Sequence, residues 1–167
     1  VQAQKGYYTV STVGGTTASS AGAVDETQAL AGYYTVDGNG DAVAIGAVNV
    51  AQVQAGYYAV STVGGTTATS AGAVDEAACG AGTFSAAGAT TCTTAQSGYY
   101  TVTAAGGTTA TNSAAQSEAQ ALAGYYTVDG NGDAVASGAV NVVQAQKGYY
   151  TVSTVGGTTA SSAGAVD

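Results

Sequence analysis

The chain has 167 residues and a formal charge of −8, with 26 Gly, no Pro, Met, Trp or His, and two cationic side chains, both Lys. Without His there is no usual zinc-hydrolase ligand set and no imidazole base, and without Arg the main donors to phosphate and nucleic acid are missing. No apolar run approaches the ~20 residues of a membrane span, and no basic-then-apolar leader pattern opens the sequence.

The absence of an initiating Met reads as a window cut from a longer protein. Large apolar residues are scarce: Leu30, Leu122, Ile45 and Phe84 are its entire complement of Leu, Ile and Phe. Yet only 7% of residues are charged, whereas disordered chains are usually strongly polar or charged. Small residues packed around a regular aromatic element reconcile the two facts. Repeat architectures allow this, because each unit buries its face on the next.

All twelve Tyr fall in six Gly-Tyr-Tyr triplets, beginning at Gly6, Gly32, Gly56, Gly98, Gly124 and Gly148. A diverged copy is Gly82-Thr83-Phe84. Residues 28–50 return as 120–142 with one change, Ile45 against Ser137, and Val1 to Asp25 returns unchanged as Val143 to Asp167. Residues 1–167 therefore read as one continuous repeat array, a fragment of a longer tandem protein expected to resume with a segment like Glu26-Thr27-Gln28.

In chain order, Tyr7-Tyr8-Thr9-Val10-Ser11 combines aromatic and β-branched residues and predicts a strand. Gly14-Gly15 supplies a turn and Thr16-Thr17-Ala18 a short return strand. In the second and sixth units, counting the Phe84 copy, that turn becomes Asp37-Gly-Asn39-Gly-Asp41 or Asp129-Gly-Asn131-Gly-Asp133, a strong hairpin signal. Asp25-Glu26-Thr27-Gln28 and Ser117-Glu118-Ala119-Gln120 have capping-box spacing and predict a helical turn.

Strand alternation assigns faces. The second aromatic of each triplet (Tyr8, Tyr34, Tyr58, Phe84, Tyr100, Tyr126, Tyr150) is the expected packing position. Val two residues later shares its face in every full copy. The first Tyr and the following Thr or Ala then point outward or toward a neighbouring chain. The predicted fold class is all-β: tandem short β-hairpins stacked into an elongated rod, with a β-solenoid as the alternative. The 16-residue step from Gly82 to Gly98 argues against a strict solenoid, whose coil cannot lose ten residues undistorted.

Cys79 stands three residues before Gly82, where full copies carry Ala or Val. Cys92 aligns with the column of Ala18, Ala44, Ala68, Ala110, Ala136 and Ala160. If those columns touch, the two cysteines form a disulfide, which implies an oxidising compartment; two free buried thiols are the alternative. The segment Cys79-Gly-Ala-Gly-Thr-Phe-Ser-Ala-Ala-Gly-Ala-Thr-Thr-Cys92, followed by Gly98-Tyr99-Tyr100, resembles the cysteine-rich GCC2/GCC3 or ephrin-receptor-like repeats, whose one-disulfide modules are similar to those of the TNF-receptor family. The resemblance implies a cell-surface or secreted, rod-like structural role and no catalytic residues.

Asp37, Asn39, Asp41, Asp129, Asn131 and Asp133 place oxygens at alternate positions, as calcium loops do, and are the candidate metal ligands. Turn chemistry alone also explains them, because the later Gly and acidic ligand are absent. No other cofactor is expected. Clustered hydroxyls at Thr16, Thr17, Ser19, Ser20, Thr158 and Thr159 are candidate O-glycan sites. Lys5 and Lys147 read as solvated side chains. No Ser or Thr has a base motif beside it, so an enzyme is not expected. The leading function is a structural extracellular filament, stalk or fibre, growing by self-association or by continuation of the chain. The alternative is an adhesin touching carbohydrate through rows of Tyr and Thr. Neither reading involves nucleic acid or a membrane span.

Overall fold

Five of the six Gly-Tyr-Tyr triplets, all but the one at Gly148, start a strand for a local reason. The Tyr7 N–H donates to the Gln4 carbonyl at 3.0 Å, and Gly6 between them has φ of +76°. That is a type II turn, whose third position requires positive φ and hence glycine. The same bond runs from Tyr33 to Leu30, Tyr57 to Gln54, Thr83 to Gly80, Tyr99 to Gln96, Tyr125 to Leu122 and Tyr149 to Gln146.

The computed structural model describes all residues, Val1–Asp167, and is all β. Twelve strands form six two-stranded sheets. β1 (Tyr7–Val10) pairs with β2 (Asp25–Gln28), β3 (Tyr33–Val36) with β4 (Asn49–Gln52), and β5 (Tyr57–Val60) with β6 (Asp75–Ala78). β7 (Thr83–Phe84) pairs with β8 (Thr93–Thr94), β9 (Tyr99–Val102) with β10 (Ser117–Gln120), and β11 (Tyr125–Val128) with β12 (Asn141–Gln144). In the first hairpin Tyr7 faces Gln28 and Val10 faces Asp25, antiparallel. Between successive hairpins run only single parallel bridges, such as Tyr8 to Ala47 and Tyr100 to Ala139. These are tandem hairpins, not solenoid coils.

Two local expectations are corrected. The predicted helical turns at Asp25–Gln28 and Ser117–Gln120 are β2 and β10. A helix nucleus costs several ordered residues before it gains a bond, while here a ready strand offers a four-residue ladder. The predicted return strand at Thr16–Ala18 contributes one bridge, Val10 to Ala18. The Asp-Gly-Asn-Gly-Asp turn does form: Asp37 N–H donates to the Asp41 carbonyl at 2.9 Å, and Val36 bridges Ala42.

The chain divides into two compact units, Val1–Ala77 with Ala87–Thr91, and Ala78–Ala86 with Cys92–Asp167. In the first, Tyr8, Val10 and Ala47 form one buried cluster and Val53, Ala59 and Ala73 another. In the second, Tyr100, Val102 and Ala139 repeat the first cluster. Val10, Val36, Val60, Val102, Val128 and Val152 are all buried, as alternation predicts. Tyr8 and Tyr100 are buried, Tyr34, Tyr58, Phe84 and Tyr126 half-buried, and Tyr150 exposed.

The outward placement of the following Thr or Ala is wrong. Thr9, Thr35, Ala59, Thr101, Thr127 and Thr151 are buried. Thr9 donates its N–H to the Ala47 carbonyl of the next hairpin and its hydroxyl to the Ser19 carbonyl of its own loop. The supposed outer face is therefore covered from two sides. The first Tyr of each triplet is half-buried or exposed.

Glycine also governs close approach between alternate hairpins. A Cβ on Gly6 would overlap the Gly72 carbonyl, and one on Gly98 the Gly164 carbonyl. The equivalents of Gly72 and Gly164 all have positive φ, and one is not glycine: Ala114, at φ 49°. Left-handed backbone costs a Cβ-bearing residue ~1–2 kcal/mol, partly offset because glycine is freer when unfolded. Ala114→Gly should therefore raise stability in urea titrations by roughly 0.5–1 kcal/mol, and Gly98→Ala should lower it by ~1–3 kcal/mol.

Candidate functional site

The recurring structure with one geometry throughout is the junction between consecutive hairpins. Two backbone hydrogen bonds make it. One runs forward: the residue after the aromatic pair donates its N–H to an alanine carbonyl of the next hairpin. In the first unit these are Thr9 to Ala47, Thr35 to Ala73 and Ala59 to Ala89, at 3.0–3.1 Å. In the second they are Ser85 to Ala115, Thr101 to Ala139 and Thr127 to Ala165, also 3.0–3.1 Å. The other bond runs back: the N–H just before that alanine donates to the small-residue column preceding the turn. The pairs are Gly46 to Ala3, Gly72 to Ala29 and Gly88 to Val53, then Ala114 to Cys79, Gly138 to Ala95 and Gly164 to Ala121, at 2.7–3.0 Å. The accepting residues Ala3, Ala29, Val53, Cys79, Ala95 and Ala121 are almost wholly inaccessible.

Small side chains are needed there because the backbones must meet. Threonine adds a hydroxyl at the same place. Thr35 Oγ1 donates to the Val43 carbonyl at 2.6 Å and Thr127 Oγ1 to the Val135 carbonyl at 2.7 Å. No buried side-chain polar atom is left unpaired. The Tyr8, Tyr58, Tyr100 and Tyr150 hydroxyls each donate to a loop threonine carbonyl: Thr16, Thr66, Thr108 and Thr158. Phe84 stands in the hairpin whose loop is too short to carry that carbonyl.

Carboxylates hold the strand ends. Glu26 accepts from the Gln4 backbone N–H at 2.7 Å and from its side-chain amide at 2.8 Å. Glu76 clamps Gln54 and Glu118 clamps Gln96 in the same way. Where Gln is replaced by Leu30 or Leu122, the residue at the Glu position is Val50 or Val142. This matched exchange within one chain was a readable signal for strand partners, and the motif-by-motif reading missed it.

Cys79 and Cys92 are joined, with Cα atoms 5.8 Å apart. The strand register corrects the expected alignment of Cys92. Thr93 pairs with Phe84 as Thr27 pairs with Tyr8, so Cys92 takes the place of Glu26 and not of Ala18. The missing residues come out of the loop that carries Ala18 in the other hairpins. A covalent bond thus stands where other hairpins use a Glu–Gln clamp, in the hairpin whose strands are two residues long.

At the candidate calcium loops, Asp37 Oδ1 accepts the N–H groups of Asn39 and Asp41 at 2.8 and 3.0 Å. Asp129 does the same with Asn131 and Asp133. These bonds hold the Asp37 and Asp129 carboxyls below the usual carboxylate range. Asp25 is lowered too, first by the Gly14 N–H and then by that of Glu26. Burial, and then Glu76 and Asp75, push the Tyr34 phenol up. Of the candidate glycan residues, Thr16, Thr17, Ser20, Thr158 and Thr159 are exposed and Ser19 is half-buried. Ser19 Oγ donates to the Ala21 carbonyl at 2.7 Å. Lys5 and Lys147 are exposed. No helix is long and apolar enough to cross a membrane.

Compared with models of protein families, with curated proteins and with solved structures, the chain matches none.

Opening the disulfide, by reduction or by Cys79→Ser with Cys92→Ser, should lower stability by ~3 kcal/mol, the value for a loop of about this length, as read from the denaturation midpoint. Acid should act through the lowered aspartates. Their stabilisation is complete above the unfolded carboxylate value near ~4 and is lost as pH falls through the lower folded values. Urea titrations from pH 7 to pH 2 should show that loss, and a chain carrying Asp25→Asn, Asp37→Asn and Asp129→Asn should show less of it.

Proposed function

We propose that the chain is a structural repeat protein, part of an extracellular filament, stalk or fibre, and does no catalysis. The junction carries this reading. The same two backbone bonds recur from hairpin to hairpin while the loops between them change in length and sequence. A protein selected for a ligand keeps one cleft and its side chains, whereas a protein selected for extension keeps its joints. The disulfide supports an oxidising compartment. The likeness of the Cys79–Cys92 segment to cell-surface repeats points the same way.

The adhesin alternative calls on outward rows of both tyrosine and threonine, and the first Tyr of each triplet does stay half-buried or exposed. Burial of Thr9, Thr35, Thr101, Thr127 and Thr151 takes the threonine row off the surface, which leaves the adhesin reading only its tyrosines and favours the structural one. The exposed Thr16–Ser20 loop offers a handle for testing it. Antibodies to that loop should label intact source cells or their shed material, with label running along filaments in electron micrographs. Label confined to the interior of permeabilised cells would overturn the proposal.

A further inference from the structure

The two tyrosines of a triplet are held differently. The second ring packs inward: Tyr8 is 6% and Tyr100 5% exposed, and their hydroxyls donate to the Thr16 and Thr108 carbonyls at 3.0 and 3.1 Å. The first tyrosine of the second hairpin has neither constraint. Tyr33 is 38% exposed, and its hydroxyl has no hydrogen-bond partner in the chain. The hairpins on both sides of it are in place. The Thr9 N–H reaches Ala47 of this hairpin, the Thr35 N–H reaches Ala73 of the next, and a Cβ on Gly32 would overlap the Gly88 carbonyl. Tyr33 stays open to solvent with all of these neighbours around it.

The strand end that carries Tyr33 is uncharged. Across the ladder Tyr33 faces Gln52, and the turn before it is Leu30-Ala31-Gly32. The first and third hairpins have Glu26 and Glu76 at this end. Here the residue is Val50, and Leu30, 69% exposed, replaces the glutamine. On a chain of net charge −8, two copies can meet at this place without setting like charges against each other. Composition narrows the chemistry further. Met, Trp and His are absent and both cysteines are in the disulfide, so the side chains an oxidant ordinarily takes first are missing or already oxidised. Tyrosine is the side chain left for one-electron oxidation.

We propose that Tyr33 is a site of oxidative cross-linking, joined to Tyr33 of a second copy as dityrosine. The oxidant is hydrogen peroxide used by a haem peroxidase. Each phenol gives up one electron and one proton. The two phenoxyl radicals then form a carbon–carbon bond between ring positions ortho to their oxygens. Each of those carbons passes its hydrogen, as a proton, to a phenoxyl oxygen, which restores both aromatic rings and both hydroxyls. The two electrons and two protons removed reduce one peroxide to two waters. Tyr8 and Tyr100 do not take part, because their rings are enclosed and their O–H groups are engaged. The inference rests on the extracellular reading and adds to it covalent ties between chains, which backbone junctions within a chain do not supply.

The purified chain, treated with a haem peroxidase and hydrogen peroxide, should give a covalent dimer on denaturing gels, with dityrosine fluorescence. Tyr149 and Tyr150, 76% and 61% exposed, are changed to Phe in every sample so that the last hairpin does not contribute. In that background Tyr33→Phe should lose most of the dimer, whereas Tyr8→Phe with Tyr100→Phe should keep it. The Tyr33 hydroxyl has no partner to lose, so its removal leaves the fold intact, which circular dichroism checks. Peptide mass spectrometry of the dimer should find Tyr33 joined to Tyr33, and acid hydrolysates of the source material should contain dityrosine. No dimer, a dimer unaffected by Tyr33→Phe, links mapped to Tyr8 or Tyr100, or source material free of dityrosine would overturn the proposal. That failure leaves the structural reading standing, since it rests on the hairpin junctions. Interior labelling of cells would remove that reading without changing which tyrosine couples in the purified chain.

Discussion

Everything in this molecule depends on paired backbone hydrogen bonds between consecutive hairpins, one given forward and one returned. A net ~0.5–1.5 kcal/mol each is modest, but the pair imposes a strict condition. Two backbones must come within hydrogen-bond distance at a point covered on all sides. Only glycine, alanine or an occasional valine or half-cystine leaves room. The scarcity of Leu, Ile and Phe follows from that condition, because the interior is built from main chain and small residues, with valine and one aromatic per unit as filling.

The threonine after each aromatic pair shows how such an interior stays satisfied. Its N–H reaches the next hairpin and its hydroxyl reaches its own loop, so a polar residue is buried without an orphaned group. Ala59 in the third copy shows that the hydroxyl is dispensable while the backbone bond is kept. The second tyrosine works similarly, with its ring in the core and its hydroxyl on a loop carbonyl where the loop is long enough.

Variation is tolerated where the junction does not depend on it. Loops are glycine-rich, aspartate-capped or cut short, and the strand ends are held by a Glu–Gln clamp, an apolar replacement or a disulfide. The shortest hairpin has the fewest ladder bonds and the covalent tie. A crosslink acts mainly by restricting the unfolded chain, so it can compensate for a ladder too short to hold by itself.

The repeats, the turn glycines, the strand at every triplet but the last, the buried valines and the cysteine pair were all legible in the sequence, because each depends on local backbone preference or on comparison between internal copies. The partner strand was not. Asp25-Glu26-Thr27-Gln28 is short and polar with helix-like spacing, and only the ladder with Tyr7–Val10, a full loop away, makes it a strand. Nor was the burial of threonine legible, because alternation along a strand distinguishes one covered face from one solvated face. Here the second face is covered by the next hairpin, and a contact between segments 38 residues apart, as between Thr9 and Ala47, leaves no local trace for alternation to detect.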